Sequence, residues 1–180
     1  ALQLDGASWM LDWWIGGDDR WYVPAREATV RQRRVGSGPV IETSVRIPSG
    51  DALQRIYAVN IAGEQAIVVE FENDSPVPMA LALAVRPVGI DGTTAPLEIA
   101  LDRQPSGVGA PSTLTVGIDD PTVIALAKRP NEFASSTEAD LFDTVSAGRL
   151  LEGADSVSGP SANAVALYPI AHRTSLRFVV

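Results

Sequence analysis

Ile41-Glu42-Thr43-Ser44-Val45-Arg46-Ile47-Pro48-Ser49-Gly50-Asp51 sets β-branched side chains at 41, 43, 45 and 47 against polar ones at 42, 44 and 46, then turns. A period of two sends alternate side chains to opposite faces of an extended chain, so the stretch reads as a half-buried strand and a reversal. The pattern recurs on both sides. Tyr57, Val59 and Ile61 alternate up to a turn at Gly63-Glu64. Ile67, Val69 and Phe71 oppose Glu70 and Glu72 before the turn cluster Asn73-Asp74-Ser75-Pro76. Leu97, Ile99 and Leu101, then Leu114, Val116 and Ile118, and finally Leu176, Phe178 and Val180 mark short strands. Residues 122–127 are an apolar run of strand length, and Leu167 and Ile170 flank Tyr168-Pro169. Short strands divided by Gly and Pro turns predict a mainly β chain, an antiparallel two-sheet sandwich. Helix is expected only at 137–151, as one or two short pieces. There Thr137 offers a cap, Leu141, Phe142 and Val145 an apolar stripe, and Gly148 a stop. Residues 103–112 and 153–163, rich in Gly, Ser and Pro, are expected to be long loops.

One strand has no polar face. Met79, Leu81, Leu83 and Val85 alternate with Ala80, Ala82 and Ala84. A strand apolar on both sides is covered on both. The large row fills the core, and the alanine row lets something approach closely. Either a helix or loop of the same chain lies there, or a neighbouring domain packs on it. On the second reading Ala80, Ala82 and Ala84 form a domain-docking face.

A chain of 180 residues suits one domain with a core large enough to fold unaided. It contains no cysteine, which excludes disulfides, a thiol nucleophile and a cysteine-ligated zinc, and fits a reducing cytoplasm. The net charge of −8 argues against a nucleic-acid partner. The basic run Arg31-Gln32-Arg33-Arg34 reads as a solvated strand face. The most apolar stretch, 77–85, is under half the roughly 20 residues of a membrane-spanning helix, so no membrane partner is expected. Gln3 and Asp5 stand where a secretory signal would place basic and then apolar residues. The chain starts at Ala1 rather than Met and stops at Val180 just after an apolar run. It reads as a domain, 1–180, cut from a longer multidomain protein.

Catalytic patterns are scarce. His172, the single histidine, sits in a turn between the last two strands, and no Gly-x-Ser-x-Gly elbow accompanies it. One histidine without cysteine makes a zinc site improbable. Asp18-Asp19 and Asp119-Asp120 lack the spaced oxygens of a calcium loop, and Gly36-Ser37-Gly38-Pro39 lacks the lysine of a phosphate loop. Asn73-Asp74-Ser75 matches a glycosylation acceptor in form and a strand-linking turn equally well. Glu70 and Glu72 share a strand face and read as charges that keep it wet. No catalytic residue, metal or cofactor is assigned.

All four tryptophans, Trp9, Trp13, Trp14 and Trp21, fall within the first 21 residues. Gly16-Gly17 permits a tight turn displaying Asp18, Asp19 and Arg20, with Trp21 and Tyr22 returning into a strand. Indole faces stack on sugar rings, and Asp and Arg bond vicinal hydroxyls, so Trp13, Trp14, Asp18, Asp19, Arg20 and Trp21 are the candidate carbohydrate-binding set. Equally, tryptophans bury large apolar areas and can plug one end of the sandwich beneath an internal Asp–Arg pair.

The run from Trp13 to Trp21, Pro24-Ala25-Arg26-Glu27, the stretch from Glu70 to Pro78, Ala84-Val85-Arg86-Pro87 and Leu167-Tyr168-Pro169-Ile170-Ala171-His172 resemble a group of actinobacterial proteins. That group is in turn similar to glycogen-debranching and glucoamylase-like glycosidases, in which a supersandwich precedes an α/α-toroid of six helical hairpins. The resemblance implies a non-catalytic amino-terminal sandwich domain of a glycoside hydrolase-like protein. Its partners would be the carboxy-terminal helical catalytic domain of the same polypeptide, which holds the catalytic carboxylates, and an oligo- or polysaccharide. A stand-alone carbohydrate-binding module is the alternative. A complete small enzyme such as a sugar epimerase is least supported, for want of an acid–base pair.

Overall fold

The alternation at 41–47 closes into antiparallel pairing on both sides, and the same holds along the chain. The computed structural model describes residues 1–89, 91–104, 110–138, 141–149 and 153–180. Its strands, numbered along the chain, form two antiparallel sheets. The smaller has the order β11 (Glu132–Ser136), β13 (Asn163–Ile170), β7 (Met79–Arg86), β1 (Met10–Gly16), β2 (Trp21–Tyr22). The larger runs β12 (Ser156–Gly159), β8 (Leu97–Asp102), β9 (Thr113–Val116), β10 (Thr122–Ala125), β14 (Ser175–Val179), β6 (Glu64–Asp74), β5 (Gly50–Ile61), β4 (Val40–Ile47), β3 (Arg31–Val35). The two-sheet sandwich read from the sequence is the architecture observed.

One difference concerns a short element. β12 lies inside 153–163, where a loop was expected; its Val157 pairs with Ile99 of β8, and one apolar residue is too little to show alternation. Within 137–151 one helix is described, α1 (Leu141–Ser146), with Leu141 and Val145 buried. Gly148, φ +65°, follows it in the left-handed region that glycine enters freely. Residues 105–109 of the expected loop 103–112, and 139–140 and 150–151 of the expected helical stretch 137–151, lie outside the described residues.

The core lies between the sheets. From the small sheet come Trp13, Ile15, Leu81, Leu83, Ala166 and Tyr168; from the large one Val45, Val69, Phe71, Ile99, Val116 and Phe178. An aromatic chain crosses the gap: Trp13 meets Phe71 at 5.4 Å between ring centroids, Phe71 meets Phe178 at 5.8 Å, and Phe178 meets Tyr168 at 5.3 Å. These separations suit edge-to-face and tilted packing. Burial raises the Tyr168 phenol above its ordinary pKa.

The alanine row corrects the docking-face expectation. Ala82 and Ala84 are buried on the outer side of the small sheet in a second apolar cluster with Trp14, Val23, Leu141, Val145 and Val165. Ala80 is half-buried beside Gly16 and the Trp21 ring; a Cβ built on Gly16 would lie 3.1 Å from that ring and 3.2 Å from the Ala80 methyl. The chain's own helix and tryptophans therefore cover Ala82 and Ala84.

On the outer face of the large sheet, registered neighbours alternate in charge: Arg33 of β3, Glu42 of β4, Arg55 of β5, Glu70 of β6 and Arg177 of β14. Arg33 and Arg55 donate to the two oxygens of Glu42 at 2.7 and 2.8 Å. Arg55 also reaches Glu70 at 3.2 Å and Glu72 at 2.5 Å, and Arg177 donates to the other Glu70 oxygen. Glu42 and Glu70 are thus buried beneath arginine stems, where the sequence suggested a wet face. Burial pushes the Glu42 carboxyl up, but the hydrogen bonds from Arg33 and Arg55 and their charges hold it below the usual carboxylate range.

Asn73 joins the sheets at a corner. Fully buried, it donates through Nδ2 to Val77 O (2.7 Å) and Ile170 O (3.2 Å) and accepts from Ser75 N at Oδ1 (3.0 Å). The formal glycosylation match is therefore a structural turn, because both amide hydrogens are engaged. Asn73→Ala should cost about 2–4 kcal/mol, since it strands buried carbonyls and an amide; urea denaturation will measure it. A second expectation concerns acid. Because the folded Glu42 pKa lies below its unfolded value of about 4.3, its stabilisation is complete above that pH and lost as pH falls through the folded value. Glu42→Gln should lower stability by roughly 1–3 kcal/mol at pH 7 and make the loss between pH 5 and 3, followed by thermal melts, shallower than in the parent.

Candidate ligand site around Trp14

The Trp-rich segment is a hairpin. Ile15 pairs with Tyr22 and Gly16 with Trp21, and the turn closes with Gly17 N donating to Arg20 O at 3.0 Å. Strand alternation then separates the candidate residues. Trp13 points into the core. Trp14 points the opposite way, under α1, where its ring meets Phe142 edge-on at 5.0 Å between centroids. Trp9 belongs to the core as well. Trp21 is half-buried, and Asp18, Asp19 and Arg20 are exposed at the tip.

The turn charges are paired within the hairpin region. Arg20 donates to both oxygens of Glu27, at 2.6 and 2.9 Å, with its guanidinium 3.8 Å from the centre of the Tyr22 ring. That bond holds the Glu27 carboxyl below its ordinary pKa. The Tyr22 hydroxyl donates to Asp19, at 2.8 Å to the nearer oxygen; burial first, then this bond, raises the phenol's pKa. The expected Asp–Arg pair is replaced by Arg20–Glu27 and Asp19–Tyr22. Of the six candidates, the structure gathers Asp18, Asp19 and Arg20 at the tip and sends Trp13 and Trp14 to opposite faces of the sheet.

A different constellation surrounds Trp14. Asp12 is buried on the same face. Its Oδ1 accepts Trp13 N at 2.9 Å, and its Oδ2 faces Trp14 Nε1 at 3.3 Å and Arg86 Nη1 at 3.5 Å. Beside it a cavity of about 140 Å³ opens between the sheet and α1, bounded by Trp14, Ala84, Arg86, Pro87, Leu141 and Val165, among others. Across Trp14 a narrow crevice is lined by Val23, Arg26, Arg86 and Phe142, with the Arg26 guanidinium 5.4 Å from the Phe142 ring centre. Sequence reasoning passed over Asp12, Arg26 and Arg86. The available signal was Arg86-Pro87, a charge ending an otherwise apolar strand.

Among the described residues no group of three or more His, Asp and Glu side chains is placed to hold a metal ion, and no helix is long and apolar enough to cross a membrane. His172 is exposed.

No protein-family model matches this chain, and no curated protein matches it in sequence. In structure it is similar to a bacterial glucoamylase solved with acarbose, with a TM-score of 0.67 at 9% identity, over 94% of this chain and 26% of the glucoamylase chain. The likeness establishes a shared β-sandwich fold. The chain spans about a quarter of that glucoamylase's length.

The hairpin geometry predicts that one indole in four, that of Trp21, is partly open to solvent. Acrylamide should quench a minor fraction of the tryptophan fluorescence, and Trp21→Phe should remove most of that fraction.

Proposed function

We propose that this chain is the non-catalytic sandwich domain of a glycoside hydrolase-like protein, packing against a helical α/α-toroid in the same polypeptide and helping to shape its cleft. The observation that carries the reading is the asymmetry of the structural likeness: nearly all of this chain corresponds to about a quarter of a glucoamylase. The site is consistent with it, since several of the described acidic residues are engaged in structural pairs, among them Glu42–Arg55, Glu70–Arg177 and Asp155–Arg103.

The unequal sheets supply a surface for such packing. The large sheet outspans the small one, and the β5–β6 hairpin runs past the core. Ile61 near its tip is 53% exposed, and Ile41, on the core-facing side of β4, is 38% exposed. Isolated exposed apolar residues are ordinary, so this overhang supports the reading without carrying it. The cysteine-free composition goes with a cytoplasmic setting.

The alternative, a self-sufficient carbohydrate-binding module, needs an open aromatic platform. Trp13 and Trp14 are buried and Arg20 is engaged by Glu27, which favours the domain reading. The purified chain should release no reducing sugar from malto-oligosaccharides, while the longer protein containing it should do so and lose activity on Ile61→Asp. Hydrolysis by the 180-residue chain alone would overturn the proposal.

A further inference from the structure

The cavity beside Trp14 owes its existence to the alanine row. Ala84, Asn163 and Val165 line it from β7 and β13, Trp14 from β1 and Leu141 from α1, with Pro87 and the partly exposed Arg86 at its mouth. A larger side chain at 84 would fill it. Its volume of about 140 Å³ is close to the ~150 Å³ of a cavity that accepts a single benzene ring.

The charge at the mouth is unbalanced. Elsewhere Arg20, Arg33, Arg46, Arg55 and Arg103 approach carboxylate oxygens to 2.5–2.7 Å. Arg86 differs: its contact with Asp12 is a single one at 3.5 Å, and its side chain is 41% exposed. Arg26, across Trp14, sits on the Phe142 ring with no carboxylate in hydrogen-bond reach among the described residues. Of these two guanidiniums only Arg86 meets the buried Asp12 carboxylate, and at 3.5 Å, in a chain whose net charge is −8. A guanidinium binds best as a two-pronged fork on a carboxylate, and the fork of Arg86 is largely unspent.

We infer that this cavity binds a carboxylate carried on a six-membered ring: the ring enters between Trp14, Leu141 and Val165, and the carboxylate takes the fork of Arg86 with Arg26 adding charge. Such a ligand has two sources, an acidic sugar unit of the uronate class or an aromatic acid. The inference stands on this chain alone and does not rest on the domain reading.

Titration of the chain with glucuronate, glucose, benzoate and benzamide, followed by amide and indole NMR shifts, separates these cases. At least one acid should bind at millimolar strength or better, shift the Trp14 indole signal and exceed its neutral counterpart at least tenfold. Glucuronate alone identifies the sugar source; benzoate, alone or with glucuronate, identifies an apolar ring acid. Arg86→Lys keeps a cation beside Asp12 but loses the fork, and should weaken binding tenfold or more with little change in melting temperature. Arg26→Gln should weaken it a few-fold. No shift by about 20 mM of either acid, equal binding of acids and neutral analogues, or an undiminished Arg86→Lys variant would overturn the assignment. None of these outcomes bears on catalysis or on the toroid.

Discussion

The two apolar faces of β7 organise this domain. One face sends Leu81, Leu83 and Val85 into the gap between the sheets, and the other offers Ala82 and Ala84 to α1 and Trp14. Paired with β1 on one side and β13 on the other, β7 is central to the small sheet and has no solvent side. A buried strand of this kind needs cover on both faces. The sandwich provides one, and a single short helix with the β1–β2 hairpin provides the other. The Trp14 cavity follows from the same arrangement, because methyls leave space that longer side chains would take.

The large sheet solves the opposite problem. Much of its outer face meets water, and there the row from Arg33 to Arg177 substitutes alternating charge for apolar cover. Exposed ion pairs contribute little one by one. Here Glu42 and Glu70 each accept from two arginines and are shielded by their stems, so the row behaves as a network that fixes register across five strands. β3, an edge strand, is four-fifths exposed and rich in arginine, which discourages pairing with another chain.

Much of the strand pattern was legible because alternation is local: Val45 and Ile47, or Val69 and Phe71, announce a buried face within a few residues. β12 was not, since its place depends on β8, more than fifty residues earlier. Nor was the fate of the Trp segment. Strand periodicity implied that adjacent Trp13 and Trp14 must face opposite ways, but composition alone suggested a shared ligand surface. The partner of Arg20 was equally hidden, because Glu27 reaches it only after the chain passes through Pro24–Arg26.

Sequence by itself determined that this is an antiparallel sandwich with very little helix, and that one strand needs cover on both faces, for these follow from side-chain period and turn chemistry. Tertiary structure alone decided what that cover is, which carboxylate each arginine meets, and that Trp14, Arg86 and Leu141 stand around one cavity. The reason is geometric: alternation fixes the direction of a side chain relative to its own strand, whereas the partner it meets depends on strand order and register, which are set by residues far away in the chain.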